Sequence, residues 1–157
     1  MAYIEQQVDI DAPPAVVWAV ITDVERWPEW TPRTTRNIRL LDSGELRNTT
    51  RARIRLRGML PSTWQVTEFV PERSFTWDTQ VMPGLRIAAR HLVEANGAGS
   101  LVTLSITSGG VLAKSTSAMI GGMSRRNLRL EAAGVKRRSE ERARSSTGAA
   151  SESRFSI

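Results

Sequence analysis

A chain of 157 residues, 40% of them hydrophobic, is long enough to bury a core of its own and is most simply one domain. It contains no cysteine, which excludes a disulfide framework and thiol chemistry, and no apolar run of about 18 residues that could span a membrane as a helix. The formal charge of +6 is unevenly placed: residues 1–109 hold 12 basic and 12 acidic side chains, whereas residues 110–157 hold 10 and 4, so the whole excess belongs to the last third. The opening, MAYIEQQVDIDAPP, has neither the basic start nor the apolar run of a secretory signal, and a cytoplasmic protein is the expectation.

Ile4, Gln6, Val8 and Ile10 alternate with Tyr3, Glu5, Gln7 and Asp9, which predicts a half-buried first strand. Asp11-Ala12-Pro13-Pro14 reads as a helix start, a capping-type residue followed by proline. A short helix over 15–21 follows, with Val16, Val17, Trp18 and Val20 as its apolar mass. Thr22-Asp23 offers a second cap for one more turn over 24–27, which Pro28 is expected to end.

The middle of the chain is strand and turn. Ile38 and Leu40 share a face; Ala52, Ile54 and Leu56 alternate strictly with Arg51, Arg53, Arg55 and Arg57; Trp64, Val66 and Glu68 share a face, as do Phe75, Trp77 and Thr79. Ile87, Ala89, His91 and Val93 oppose Arg86, Arg90 and Glu94, and after the Asn96-Gly97-Ala98-Gly99 hairpin signal Val102, Leu104 and Ile106 alternate again. Short turns between these six strands imply antiparallel neighbours.

Gly110 to about Arg138 reads as the long helix, with Leu112, Met119, Met123, Leu130 and Gly134 at helical spacing and Asn127 in the same row. Gly121-Gly122 interrupts it, either for a close approach or kink, or because the helix leaves room for a ligand beside it. The residues after it, SEERARSSTGAASESRFSI, are polar, small and without period. The pattern predicts an α+β fold: a curved seven-stranded antiparallel sheet, polar on its outer face, around a long C-terminal helix, with two short helices after strand 1.

The stretch Val8 to Pro32, VDIDAPPAVVWAVITDVERWPEWTP, carries a family resemblance in its strand, its acidic-x-Pro helix start, its V-W pair and its D-x-x-x-W-P-x-W bend. Trp64-Gln65-Val66, Pro71-Glu72-Arg73 before Phe75-x-Trp77, and the Gly99 hairpin add weaker echoes. The chain resembles the START-like (SRPBCC) superfamily, and within it the bacterial polyketide cyclase/dehydrase and lipid-transport group. The resemblance implies a helix-grip domain over residues 1–140 and leaves outside it the polar basic tail over 141–157, which by its composition is expected to be disordered. It also implies a cavity between the concave sheet and the last helix that holds a hydrophobic small molecule, such as a lipid, a polyketide or an aromatic compound.

By the alternation, the side chains expected to face that cavity are Ile54, Leu56, Trp64, Val66, Phe75, Trp77, Ile87, Ala89, His91, Leu104 and Ile106, with Met119, Gly122 and Met123 from the helix; core packing alone would place most of them equally well. Of the two tryptophans flanking Pro28, Trp30 is the one expected to touch ligand, although a peg between helices and sheet suits both. His91, the single histidine, cannot make a typical zinc site without cysteine or a second histidine, so no metal or cofactor is expected.

His91 could anchor a ligand or act as the acid/base of a cyclase or dehydratase; a satisfied core histidine is the commoner role. An inward carboxylate beside it, from Glu68 or Asp78, would complete an acid/base pair. The leading expectation is therefore a binding module for a hydrophobic ligand. The alternatives are a polyketide cyclase/dehydratase-like enzyme using His91, or an auxiliary protein that works through its surface. The basic C-terminal end could meet an anionic membrane surface, the lack of interleaved aromatics argues against nucleic acid, and the arginine row reads as a solvated sheet face.

Overall fold

The computed structural model describes the backbone of residues 2–154 and the side chains of residues 2–146. Seven strands, β1 (Ala2–Ile10), β2 (Thr35–Leu40), β3 (Arg51–Leu56), β4 (Ser62–Val70), β5 (Ser74–Met82), β6 (Leu85–Asn96) and β7 (Gly99–Gly109), form one antiparallel sheet in the order β1-β7-β6-β5-β4-β3-β2. The six later strands are the expected meander, and β1 closes beside β7, with Ile4 opposite Ile106 and Val8 opposite Val102. Register shifts at Thr35/Asn37, Val66/Glu68 and Gln80/Met82 sharpen the twist of a sheet that curls into a half-barrel. The strict alternation of β3 holds, with Ala52 and Ile54 buried and the arginines exposed.

Helix α1 (Pro14–Thr22), a 3-10 turn at Val24–Arg26 and the single helical turn α2 (Trp27–Trp30) close one end of the half-barrel. Pro13 rather than Asp11 takes the N-cap position of α1, with no side-chain cap bond. Pro28 does not stop the helical path as expected. It stands in the first turn of α2, where its missing N–H has no carbonyl to serve.

Helix α3 (Ser117–Arg154) fills the concave side, packing on β1, β7, α1 and α2. Both of its ends differ from expectation. It starts at Ser117 rather than Gly110, because Gly110 takes a left-handed φ of 101° and lies so close to the Gly84 carbonyl group that a Cβ would come within 2.8 Å of its carbon. Residues 111–116 form turns instead, held by Leu112 N–H donating to Gly84 O at 2.9 Å. At the other end the helix continues through the stretch read as a tail, as far as Arg154; the last three residues of that stretch lie outside the described residues. The continuation has a packing reason: Val135 and Ser139 are fully buried and Ala143 packs against the core, so a small-residue face at i, i+4 and i+8 outlasts the apolar stripe seen in the sequence.

The basic segment at 136–138 is docked, which accounts for part of the C-terminal charge. Lys136 Nζ donates to the Asp9 carbonyl at 3.0 Å and to Glu140 at 2.7 Å, and Glu140 in turn accepts the Asp11 N–H at 3.0 Å. Arg137 donates to the Trp30 carbonyl at 2.9 Å, and Arg138 pairs with Glu29 at 3.2 Å. These contacts tie α3 to the end of β1 and to α2. On the outer sheet face, Arg51 pairs with Asp42 at 3.0 Å, Arg53 donates to Thr63, and Arg57 donates to the Pro32 carbonyl.

Candidate functional site: an apolar cavity with a buried histidine–glutamate pair

A cavity of about 170 Å³ remains between the sheet and the first half of α3. Of the side chains the sequence assigns to it, Ile54, Leu56, Trp64, Trp77, Ile87, Ala89, His91, Ile106, Met119 and Met123 line the space. Val66, Phe75 and Leu104 do not. They are buried on the same sheet face but lie behind the wall: Phe75 and Leu104 flank His91 on the neighbouring strands, and Val66 sits beside Trp77.

Of the two tryptophans of the bend, Trp27 rather than Trp30 reaches the cavity. Trp27 lines the cavity, its indole N–H satisfied by the Ile21 carbonyl at 2.9 Å. Trp30 is the peg: a Cβ on Gly134 would meet its carbonyl oxygen and would reach its ring carbon Cε3 at 2.8 Å. The glycine that permits close approach is therefore Gly134. Gly122 is exposed, has nothing within 4 Å of a would-be Cβ, and does not line the cavity, so it does not mark a lowered wall.

His91 stands 3% exposed on the wall. Its ring stacks on Phe75 at 4.4 Å and 15°, lies 5.2 Å from Trp27, and meets Trp77 edge-on. Its Nε2 is 3.1 Å from Glu131 Oε1 on α3. The carboxylate partner foreseen for His91 exists, but neither Glu68 nor Asp78 supplies it. The register shift in β4 turns Glu68 outward, and Asp78 pairs with Arg86 at 2.8 Å on the outer face.

An ionised carboxylate can only accept, so beside one a neutral imidazole carries its hydrogen on Nε2 and offers Nδ1 as the acceptor. Nδ1 is buried and has no partner, one of three such side-chain atoms among the described residues. A buried acceptor without a donor is costly, and it is the feature of the wall that a ligand could relieve.

The remaining polar lining comes from residues the alternation missed. Thr34 and Thr35 precede and open β2, buried in a hydroxyl cluster in which Thr31 and Thr34 are 2.7 Å apart. Thr116, in the turns before α3, and Ser124, Asn127 and Glu131, on α3, supply the rest. The row Ile120, Ser124, Asn127 and Glu131 is a helical i, i+4, i+7, i+11 series, and its polar half hid it from a search for apolar periodicity. No group of three or more metal-ligating side chains occurs among the described residues.

The curled sheet gripping a C-terminal helix over a lined cavity defines a helix-grip protein. The chain belongs to the polyketide cyclase/dehydrase and lipid-transport family, whose model matches residues 1–140. Similar solved structures carry the same fold. One is a hypothetical protein from Helicobacter pylori, 16% identical over 88% of each chain at a TM-score of 0.75. A second is the Zhui aromatase/cyclase from a Streptomyces species, 18% identical over 90% of this chain and 94% of that one at 0.70. A third is the di-domain aromatase/cyclase BexL, 24% identical over 89% of this chain and 47% of that one at 0.71. No curated protein matches the chain.

Proposed function

We propose that the protein binds a hydrophobic small molecule in this cavity, and that the molecule carries a hydroxyl or similar donor directed at His91. The unpartnered Nδ1 of His91, on a mostly apolar wall that includes Trp27, Trp64 and Trp77, carries the reading. Apolar walls supply the affinity, and one buried acceptor supplies orientation. The volume suits a compact aromatic body, since cavities of about 150 Å³ accept a benzene-sized guest. A pair of probes that differ by one donor tests it: 1-naphthol should bind more tightly than naphthalene by about fivefold, the worth of one buried hydrogen bond. His91→Phe should erase that preference while keeping the affinity for naphthalene. Equal affinities in the parent protein would sink the reading.

A second reading, cyclase or dehydratase chemistry, is favoured by the Glu131 contact. A carboxylate on Nε2 holds one tautomer and orientation of the imidazole and stabilises the imidazolium once Nδ1 takes a proton. His91 would then be the base toward a donor on the substrate, and Glu131 its positioning residue. Turnover of a poly-β-ketone, abolished in His91→Phe and reduced in Glu131→Gln with little change in KM, would support it; turnover indifferent to both changes would end it.

A further inference from the structure

The cavity reaches one end of the sheet, where its lining includes Leu56, Met59 and the exposed Met82 and Met119, and where β3, β5 and β7 finish together because alternate strands run in the same direction. Three chain segments there expose large apolar side chains. Leu60, in the turn after β3, is 86% exposed; Met82, at the end of β5, is 44%; Val111 and Met119, before and at the start of α3, are 89% and 67%. Of the seven large hydrophobic side chains exposed among the described residues, Met82 and Met119 line the cavity, Leu60 follows the lining residue Met59, and Val111 lies against the β5–β6 turn beside the lining residue Leu85. Singly they would need no explanation, but gathered at the rim of a cavity they form a patch. The rim is held in shape: Leu112 N–H bonds to Gly84 O, and the side chains of Val111 and Leu112 lie against Gly84 in the β5–β6 turn.

Cations outnumber carboxylates around this patch. The rim segments carry Arg57, Arg86 and Lys114, and no Asp or Glu occurs between Glu94 and Glu131. Of the sheet carboxylates toward this end, Glu5 accepts the Tyr3 hydroxyl at 2.6 Å, and Asp78 pairs with Arg86, which leaves Arg57 and Lys114 as the rim cations that face no carboxylate across an ion pair among the described residues. Apolar protrusions flanked by cations suit the interface of an anionic bilayer, where methylenes leave water and lysine or arginine meets the lipid phosphates. A two-fold contact between copies would instead set the same cations against each other. The C-terminal segment is the poorer candidate for that contact, because Lys136, Arg137 and Arg138 are spent on β1 and α2.

We propose that this rim docks the protein on anionic membranes with the cavity mouth against the lipid, so that the hydrophobic ligand of the cavity exchanges between bilayer and protein. The exchange rests on that reading of the cavity; the docking does not. The test is co-sedimentation of the full chain with phosphatidylcholine vesicles, with and without phosphatidylglycerol, alongside 1-naphthol binding in solution. Binding is expected to the anionic vesicles and to weaken as salt is raised. Leu60→Asp with Val111→Asp should reduce it by at least about tenfold, since both side chains would leave the acyl boundary. Lys114→Ala should reduce it by about fivefold, the share of one cation near an anionic surface.

Neither Leu60 nor Val111 lines the cavity, so naphthol affinity should survive the double change. Vesicle binding that is absent, that is unaltered in the double variant, or that is lost only on replacing Arg142 and Arg144 would overturn the docking. So would a concentration-dependent dimer dissolved by the same double change. Vesicle binding without naphthol binding would uphold the docking and remove the ligand reading instead.

Discussion

At the scale of single residues, the chemistry gathers on His91. Its position on the inner face follows from the period of β6, but its partner, Glu131, lies 40 residues further on and meets it only because α3 crosses the sheet there. The pair has a stability signature. Replacing Glu131 alone by Leu leaves the His91 ring with two unsatisfied nitrogens and should destabilise the protein by about 1–3 kcal/mol. Replacing both, as His91→Phe with Glu131→Leu, removes every buried polar atom of the pair and should restore most of the loss in urea unfolding. A double variant no more stable than Glu131→Leu would mean that the pair also holds α3 in place. The same wall shows why Trp27 and Trp30 are hard to rank from sequence: three residues apart on one short turn, they differ only in which neighbour reaches them.

At the scale of elements, α3 is decided by small residues. Gly134 lets the Trp30 backbone and ring approach, and even one methyl there collides with both, so Gly134→Ala should cost about 2 kcal/mol or more. Gly122 faces open space, and Gly122→Ala should instead stabilise the helix by about 1 kcal/mol in the same denaturation experiment. Two glycines of one helix thus carry opposite predictions.

The anchoring of α3 on β1 is electrostatic as well. The Lys136 ammonium, and after it the Asp11 N–H, hold the Glu140 carboxyl below its ordinary range. A lowered carboxyl contributes stability that is present above its unfolded-state pKa and is lost as pH falls through the folded value. Glu140→Gln should therefore be less stable than the parent at neutral pH, with the difference closing in acid, at pH values below the ordinary carboxylate range. A gap that persists in acid would point to hydrogen-bond geometry rather than charge.

At the scale of the whole molecule, the cavity is where the sheet's curl and the helix's polar half-stripe fail to fill the space between them. Ala89 lies on the cavity wall beside Trp77 and Ile106 on the adjoining strands. Ala89→Leu should therefore fill the space, abolish naphthol binding and leave the unfolding midpoint close to that of the parent. Retained affinity would place the ligand elsewhere.

The sequence alone determined the order of the six meander strands, the inner and outer faces of β3, β5 and β6, and the gripping helix, but not the place of β1 beside β7, because period-2 alternation and short turns are local properties whereas that pairing spans the chain. It could not show the bulge that turns Glu68 outward, since one inserted residue reverses the phase without changing composition. Nor could it show that α3 runs past Arg138, because the burial of Ser139 and the packing of Ala143 against the core depend on what the helix meets in the fold. Only the tertiary structure decided which inward side chains line the cavity and which stand behind it, which carboxylate meets His91, and that the exposed apolar residues of three separate turns share one rim. Each of these is a distance between segments far apart in the chain, and distance across a fold is set by packing rather than by any pattern within one segment.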